Sequence, residues 1–543
     1  MHWGVAWTRA ALALVAAGTV ALVLVSGGSP ADPRTPPGLP GLPPPFLGTA
    51  VVGDGGLTAA IDAYGDVVDL RVPGPAGRAL IDNPAARQAA ESVPTDTGVV
   101  PRVSWASSKD FGPYRDTNPS SSPGEPLWRA DSVAQRYLPG TNVVRTTARF
   151  GAARVTIVYA VQGSRLACLT RVRAPRGEHA QVSIGVADPR AARRLRCDDR
   201  AARDIVQSAA RSDRRWLDRA RPLGAGAPAW ARRMYRRSLL TLWALTDART
   251  GAVAAGARGG WAYVWPRDAS TAALAYAAVG YRPEARRVAH FLLDLDLGAA
   301  ARFHGDGTPV AGRGPQGDAV GWVPLAADAA GLPAPPPARP RRDLPDYQEG
   351  APGRYVANAI AAVAAAAGPR APAYESSSTR RRLETRLKSE FVTARGVMRE
   401  PDARSGLDSA AAWAVRPFAL PLLYPPARRT LLHLAGVGAS GPPANRFGIT
   451  PSEDWPGVDP WTAPTAWSAW SLAALATREG EHPAAAQRDR RAALRLLADL
   501  RRAATPAGAL PERVDARTGI PTSTTPLAWS GAFAILALRE LWP

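Results

Sequence analysis

Five segments of the chain gather carboxylates, most of them beside arginines and tryptophans. The first, Gly259 to Asp268, crowds Trp261, Tyr263, Trp265 and Arg267 in front of Asp268. Aromatic rings stack on the apolar faces of sugars, and an arginine–aspartate pair offers fixed donors and acceptors to hydroxyls. The second, Arg313 to Asp318, includes Gln316 and leads into a segment with Trp322 a turn later. The third is Asp346-Tyr347-Gln348-Glu349, and the fourth is Leu510-Pro511-Glu512-Arg513-Val514-Asp515, ahead of Trp529. A further loop holds Arg446, Glu453, Asp454, Trp455 and Trp461. The first four have a plain structural alternative: Asp268 and Asp318 as helix N-caps, Glu349 as a first-turn acid, Glu512 as an ordinary surface acid.

These segments need elements to hold them. Residues 46–198 have strand character, with Leu57–Ile61, Val143–Phe150 and Arg154–Tyr159 separated by Gly- and Asp-rich turns. Short strands without helical patterns between them predict a β-sandwich. A charged stretch from about 199 to 219 reads as a connecting helix within the linker 199–228. Beyond Pro228 the apolar spacing turns helical, beginning with Met234, Tyr235, Ser238, Leu242 and Leu245. Further helices are expected near 268–280, 283–296, 318–330, 352–367, 377–392, 407–420, 426–436, 463–477, 483–503 and 526–541. Without a short repeat, a closed array of helical hairpins fits better than a solenoid, and it leaves functional residues on loops at one end.

The remaining features bound the function. A chain of 543 residues holds more than one domain. Its net charge of +21 comes almost wholly from arginine, since Lys109 and Lys388 are the only lysines. The arginines are dispersed and no nucleic-acid motif is present, so nucleic acid is not an expected partner, although anionic polymers remain attractive ones. Scattered histidines and the lack of CxxC or HExxH spacing give no metal site, and no cofactor is expected. Cys168 and Cys197 either pair, in an exported chain, or stand apart as small buried residues. Arg9 precedes an uncharged run from Ala10 to Val25, so residues 1–28 are read as a signal anchor or signal peptide. Both readings export the rest of the chain, the anchor tethering it to a membrane. Residues 29–45 are a Pro-rich linker.

In this order the five loops resemble glycoside hydrolase family 15, the glucoamylase, glucodextranase and bacterial trehalase group, over about 46–543. Trp265-Pro266-Arg267-Asp268 is similar to the family's aromatic-x-Arg-Asp motif, which grips the non-reducing glucose. The Gln316 and Asp318 loop resembles its Pro-Gln-x-Asp-Gly loop, and Glu349 aligns with the general acid of its Trp-Glu loop. Arg446, Glu453, Asp454 and Trp461 resemble a substrate-binding segment. Glu512 and Trp529 match the Leu-Pro-Glu-Gln-Val and Ala-Trp-Ser-His segment, whose glutamate is the general base. Three departures stand out: Gln348 in place of Trp, Gly531 in place of His, and a Trp-Gly-Arg-Pro loop that lacks its Trp.

The resemblance implies a multidomain β + α protein, an N-terminal β-sandwich followed by an (α/α)6 toroid over 229–543. It implies an exo-acting, inverting hydrolase that releases glucose from an α-linked oligo- or polysaccharide. The alternatives are a glycoside phosphorylase of similar architecture and a cell-surface carbohydrate-binding protein that has lost catalysis. Glu453 competes with Glu349 for the acid role, because it too sits in a tryptophan-rich loop.

Overall fold

The computed structural model describes residues 50–82, 98–107, 124–176, 178–186, 188–257, 259–333, 343–367, 378–437, 445–478 and 480–543. The expected export segment and proline spacer lie outside the described residues, and among those described no helix is long and apolar enough to cross a membrane.

Strands come first: β1 (Ala50–Gly53), β2 (Thr58–Ile61), β3 (Val67–Val72), β4 (Arg78–Asp82), β5 (Val99–Ser107), β6 (Glu125–Pro126), β7 (Ser132–Tyr137), β8 (Val144–Phe150), β9 (Ala153–Gln162), β10 (Arg165–Arg173), β11 (Glu178–Val186) and β12 (Leu195–Cys197). One sheet runs β1-β2-β3-β5-β11, with β4 on β3 and β6 on β5; the other runs β12-β10-β9-β8-β7. Alternate residues of β8 and β9, such as Val144, Ala148, Val155 and Ile157, are buried, as the two-residue period of a half-covered strand requires. They share one core with Val52, Ile61, Leu70 and Val103 of the other sheet. Cys168 and Cys197 are cross-strand partners on β10 and β12 and are joined by a disulfide, which decides between the two readings of these cysteines.

The connecting helix falls on the charged stretch that predicts it. It is α1 (Arg200–Asp218), capped by Asp199, whose carboxylate accepts from Ala202 N at 2.6 Å. It stops ten residues short of 228, and Pro222 and Gly224 follow in irregular chain. It is also more than a connector. Ala209 and Ala210 pack with Val143 and Ala160 of the sheet, while Trp216 and Leu217 join the core of the helical region.

Beyond it lie α2 (Ala229–Ala244), α3 (Pro266–Ala278), α4 (Arg282–Leu293), α5 (Ala319–Ala329), α6 (Val356–Ala367), α7 (Ser378–Phe391), a 3₁₀ helix (Ser409–Ala414), α8 (Tyr424–Leu434), α9 (Thr462–Ala476), α10 (Pro483–Ala503) and α11 (Ala528–Leu541). Helix α3 packs on α5, α5 on α6, α6 on the 3₁₀ helix, that helix on α9, α9 on α11, and α11 back on α3. The circuit of these six therefore closes. Helices α2, α4, α7, α8 and α10 each pack against members of it. The helix expected over 407–420 is only the 3₁₀ turn, which ends ahead of Pro417, a residue with no N–H to continue it.

Inside the circuit, aromatic rings replace a channel. Trp322, Trp413 and Trp467 are fully buried, and successive ring centroids lie 5.1 and 5.3 Å apart in edge-to-face contact. The sandwich is locked to this body by Asn142, whose N–H donates to Asp213 at 2.7 Å and whose amide donates to Leu240 O at 3.0 Å.

Candidate active site

The segments before α3, α6, α9 and α11 converge on one pocket of about 220 Å³. Trp261, Trp265, Arg267, Asp268, Glu349, Trp461, Glu512 and Trp529 all line it, together with Arg313, Tyr347, Gln348, Trp455 and Arg513. Short backbone bridges fasten the loops to each other. Thr462 N donates to Glu512 O at 2.9 Å, Ala528 N to Ala255 O at 2.7 Å, and Gly317 N to Pro345 O at 3.2 Å. Beneath the pocket, Tyr347 and Trp529 rest on Trp467, with centroids 5.3 Å away in each case.

Arg267 and Asp268 occupy the first turn of α3, which starts with Pro266 at a position where no N–H is needed. The Arg267 guanidinium lies 4.4 Å from the centre of the Trp529 ring and donates at 2.9 Å to both Gln316 and Asp318. Asp318 thus meets the wall through Arg267, while Gln316 also donates to Glu349 at 3.5 Å. Burial raises the Asp268 pKa to about 7, and Arg267 only partly offsets this. One of its carboxylate oxygens pairs with the Arg267 guanidinium at 3.4 Å, and the Trp461 and Trp529 indole N–H groups have no hydrogen-bond partner. Buried polar atoms left open in this way are costly unless a ligand satisfies them.

Glu349 stands at φ +58°, in the left-handed region that a side chain with a Cβ rarely adopts. A turn fixes it, with Glu349 N donating to Asp346 O at 3.0 Å. Gln348, the departure from the family's tryptophan, anchors that turn. Its amide donates to the Tyr347 hydroxyl at 3.1 Å and to Asp408 at 3.3 Å, and Tyr347 donates to Asp408 at 2.8 Å. Burial, and then the neighbouring Asp346, push Asp408 up to about 7. The Glu349 carboxylate is exposed in the pocket, where it accepts from Trp265 Nε1 at 3.2 Å and pairs with Arg313.

Glu512 is less accessible. Burial pushes its pKa up, while the Ser523 hydroxyl, Arg513 and the Trp261 indole N–H favour the ionised form. Ser523 carried no signal in the sequence, since it sits in a run of threonines and prolines with nothing to mark it.

Three candidates stand outside the pocket. Arg446 is exposed, lies over the Phe447 ring and donates to Arg517 O at 3.4 Å. Asp454 accepts from Gly406 N at 3.2 Å. Glu453 is taken up by Leu407 N at 2.9 Å, His433 Nε2 at 2.6 Å and Arg395 at 2.5 Å. Although burial opposes it, these three partners hold Glu453 below the ordinary glutamate range. The loop that carries them turns back into the pocket only at Trp455 and Trp461.

No protein-family model matches the chain, and a search of curated proteins finds no relative. Among solved structures, it resembles a bacterial glucoamylase complexed with acarbose, at 12% identity over 95% of each chain and a TM-score of 0.60. That likeness, along nearly the whole length, is one of fold. A wild-type glycosidase aligns at 22% identity over 58% of this chain and 97% of its own, with a TM-score of 0.44. A glucoamylase from Saccharomycopsis fibuligera aligns at 16% identity over 57% and 94%, also at 0.44.

Proposed function

We propose that the chain is an exported, exo-acting, inverting α-glucoside hydrolase, built as an (α/α)6 toroid behind a β-sandwich. One observation carries the reading: Glu349 and Glu512, from distant loops, line the same tryptophan-walled pocket beside Arg267 and Asp268. The closed helical circuit and the fold shared with a bacterial glucoamylase support the toroid. The disulfide and the apolar run at the N-terminus support export.

The two carboxylates divide the work by position. In a pocket closed beneath by aromatic rings, the cleaved chain must leave through the mouth, so the group that protonates the leaving oxygen belongs at the accessible end. Glu349 is exposed there and is assigned as the general acid. Glu512, held by Ser523 and Trp261 in the less accessible part, is assigned as the general base that takes a proton from water. Inversion requires the two carboxyl groups to stand about 6.5–9.5 Å apart, with one water between Glu512 and the anomeric carbon. Arg267, Asp268 and the unpartnered indole N–H groups bind the hydroxyls of the terminal glucose, and the tryptophan faces cover its apolar side.

A panel of soluble α-glucosides followed by anomer-resolved NMR tests the function. Early release of β-glucose from one linkage supports it and names the substrate. α-Glucose as the first product, or turnover only with added phosphate, refutes it.

A further inference from the structure

A second cleft lies where the sandwich meets the helices, with a volume of about 550 Å³ against about 220 Å³ for the tryptophan-walled pocket. Tyr137 and the β7–β8 turn form one wall, Trp230, Arg233, Arg236 and Arg237 of α2 a second, and Arg501 with the turn after α10 a third. Positions 230, 233 and 237 fall on one helix face by their spacing of three and four residues, with 236 beside them. Among the described residues, no acidic side chain lines the cleft. Arg237 is spent on structure: it donates to Thr141 O at 2.9 Å and lies 3.7 Å over the Tyr137 ring. Arg233, Arg236 and Arg501 are exposed, with the Arg501 guanidinium 6.0 Å from the Trp230 ring centre.

Like charges gathered in a concave surface repel one another, and a cleft lined by one sign concentrates the field that draws an anion in. The arginine fork matches carboxylate and phosphate oxygens in pairs. The Trp230 ring adds flat apolar surface of the kind that stacks on sugars. We propose that this cleft binds an anionic polysaccharide, a sugar chain carrying repeated carboxylate or phosphodiester groups, at a site separate from the hydrolytic pocket. The anion-seeking character of the +21 chain is thereby given a place. The inference does not rest on the reading of the pocket.

The test is binding of labelled oligogalacturonate, a wall teichoic acid fragment, inorganic polyphosphate and a neutral maltooligosaccharide to the full chain. The combined variant Arg233→Gln, Arg236→Gln, Arg501→Gln is compared with Arg381→Gln, Arg382→Gln, Arg490→Gln, which removes three exposed arginines elsewhere. The cleft variant is expected to weaken binding of at least one anionic glycan by about tenfold or more, through loss of charge-assisted contacts. The control variant should leave that binding within about twofold, because distant exposed charges are screened. Which anionic glycan responds separates carboxylate from phosphodiester. Equal losses in the two variants, equal affinity for the neutral sugar, or binding of polyphosphate alone overturns the proposal. Turnover of a neutral α-glucoside by the cleft variant reports on the pocket independently.

Discussion

The Glu349–Glu512 pocket and the Glu453 loop look alike as sequence, each an acid among arginine and tryptophan, and they differ in what their carboxylates are free to do. Glu453 has both its carboxylate oxygens engaged, by a backbone N–H, a histidine and an arginine. In the pocket, by contrast, the indole N–H groups of Trp461 and Trp529 have no hydrogen-bond partner, and Glu349 faces the cavity. A carboxylate that is fully satisfied stabilises the fold; one held at a fixed place with contacts to spare can work on a substrate. The difference lies in partners, and a linear motif does not record partners.

Arg267→Lys gives the largest change among the residues that shape the pocket without donating or taking the proton. Lysine keeps the charge but loses the planar fork that reaches Gln316 and Asp318 and covers Trp529. Losing a hydrogen bond to a charged group costs about 1.5–3 kcal/mol, or about tenfold to a hundredfold in kcat/KM. Steady-state kinetics on the preferred glucoside measures this; an unchanged kcat/KM would place substrate recognition elsewhere.

Ser523→Ala is expected to act through pH. The Ser523 hydroxyl lowers the Glu512 pKa, so its removal raises that pKa further above the ordinary 4.5. A base must be ionised, hence the acidic limb of kcat/KM moves to higher pH while the alkaline limb stays. A profile displaced at both limbs, or not at all, would detach Ser523 from the base.

Glu453→Gln should be nearly silent in turnover and visible in stability, by about 1 kcal/mol for its partly exposed contacts. Because its folded pKa is depressed, Glu453 stabilises the fold above its ordinary value of 4.5, and this is lost as pH falls through the lower folded value. Urea denaturation of wild type and variant should therefore converge in acid. A loss of turnover comparable to that of a Glu349 variant would erase the distinction between the two regions.

Much of this was legible in residue order. Alternation at 143–150 and 154–159 shows in β8 and β9, and the three-to-four spacing after Pro228 shows in α2 and its successors. The crowding of Trp261, Trp265, Arg267 and Asp268 marked one wall of the pocket. What stayed hidden depends on chain direction in space. Arg446 turns outward although it shares a loop with Trp461, and Asp454 meets a backbone N–H that no pattern announces. Ser523 reaches Glu512 only because Glu512 N pairs with Thr524 O across the loop. The role of Gln348 required seeing Asp408, sixty residues further on, beside it.

The assignment of acid and base is tested most directly with α-glucosyl fluoride, whose leaving group needs no proton. Wild type, Glu349→Gln and Glu512→Gln are compared on this substrate and on the preferred glucoside. Each variant should lose about 10²–10⁴-fold on the glucoside. On the fluoride, Glu349→Gln should recover most of its turnover and Glu512→Gln should not. Recovery by the Glu512 variant instead, or near-normal glucoside turnover by Glu349→Gln, would contradict the account.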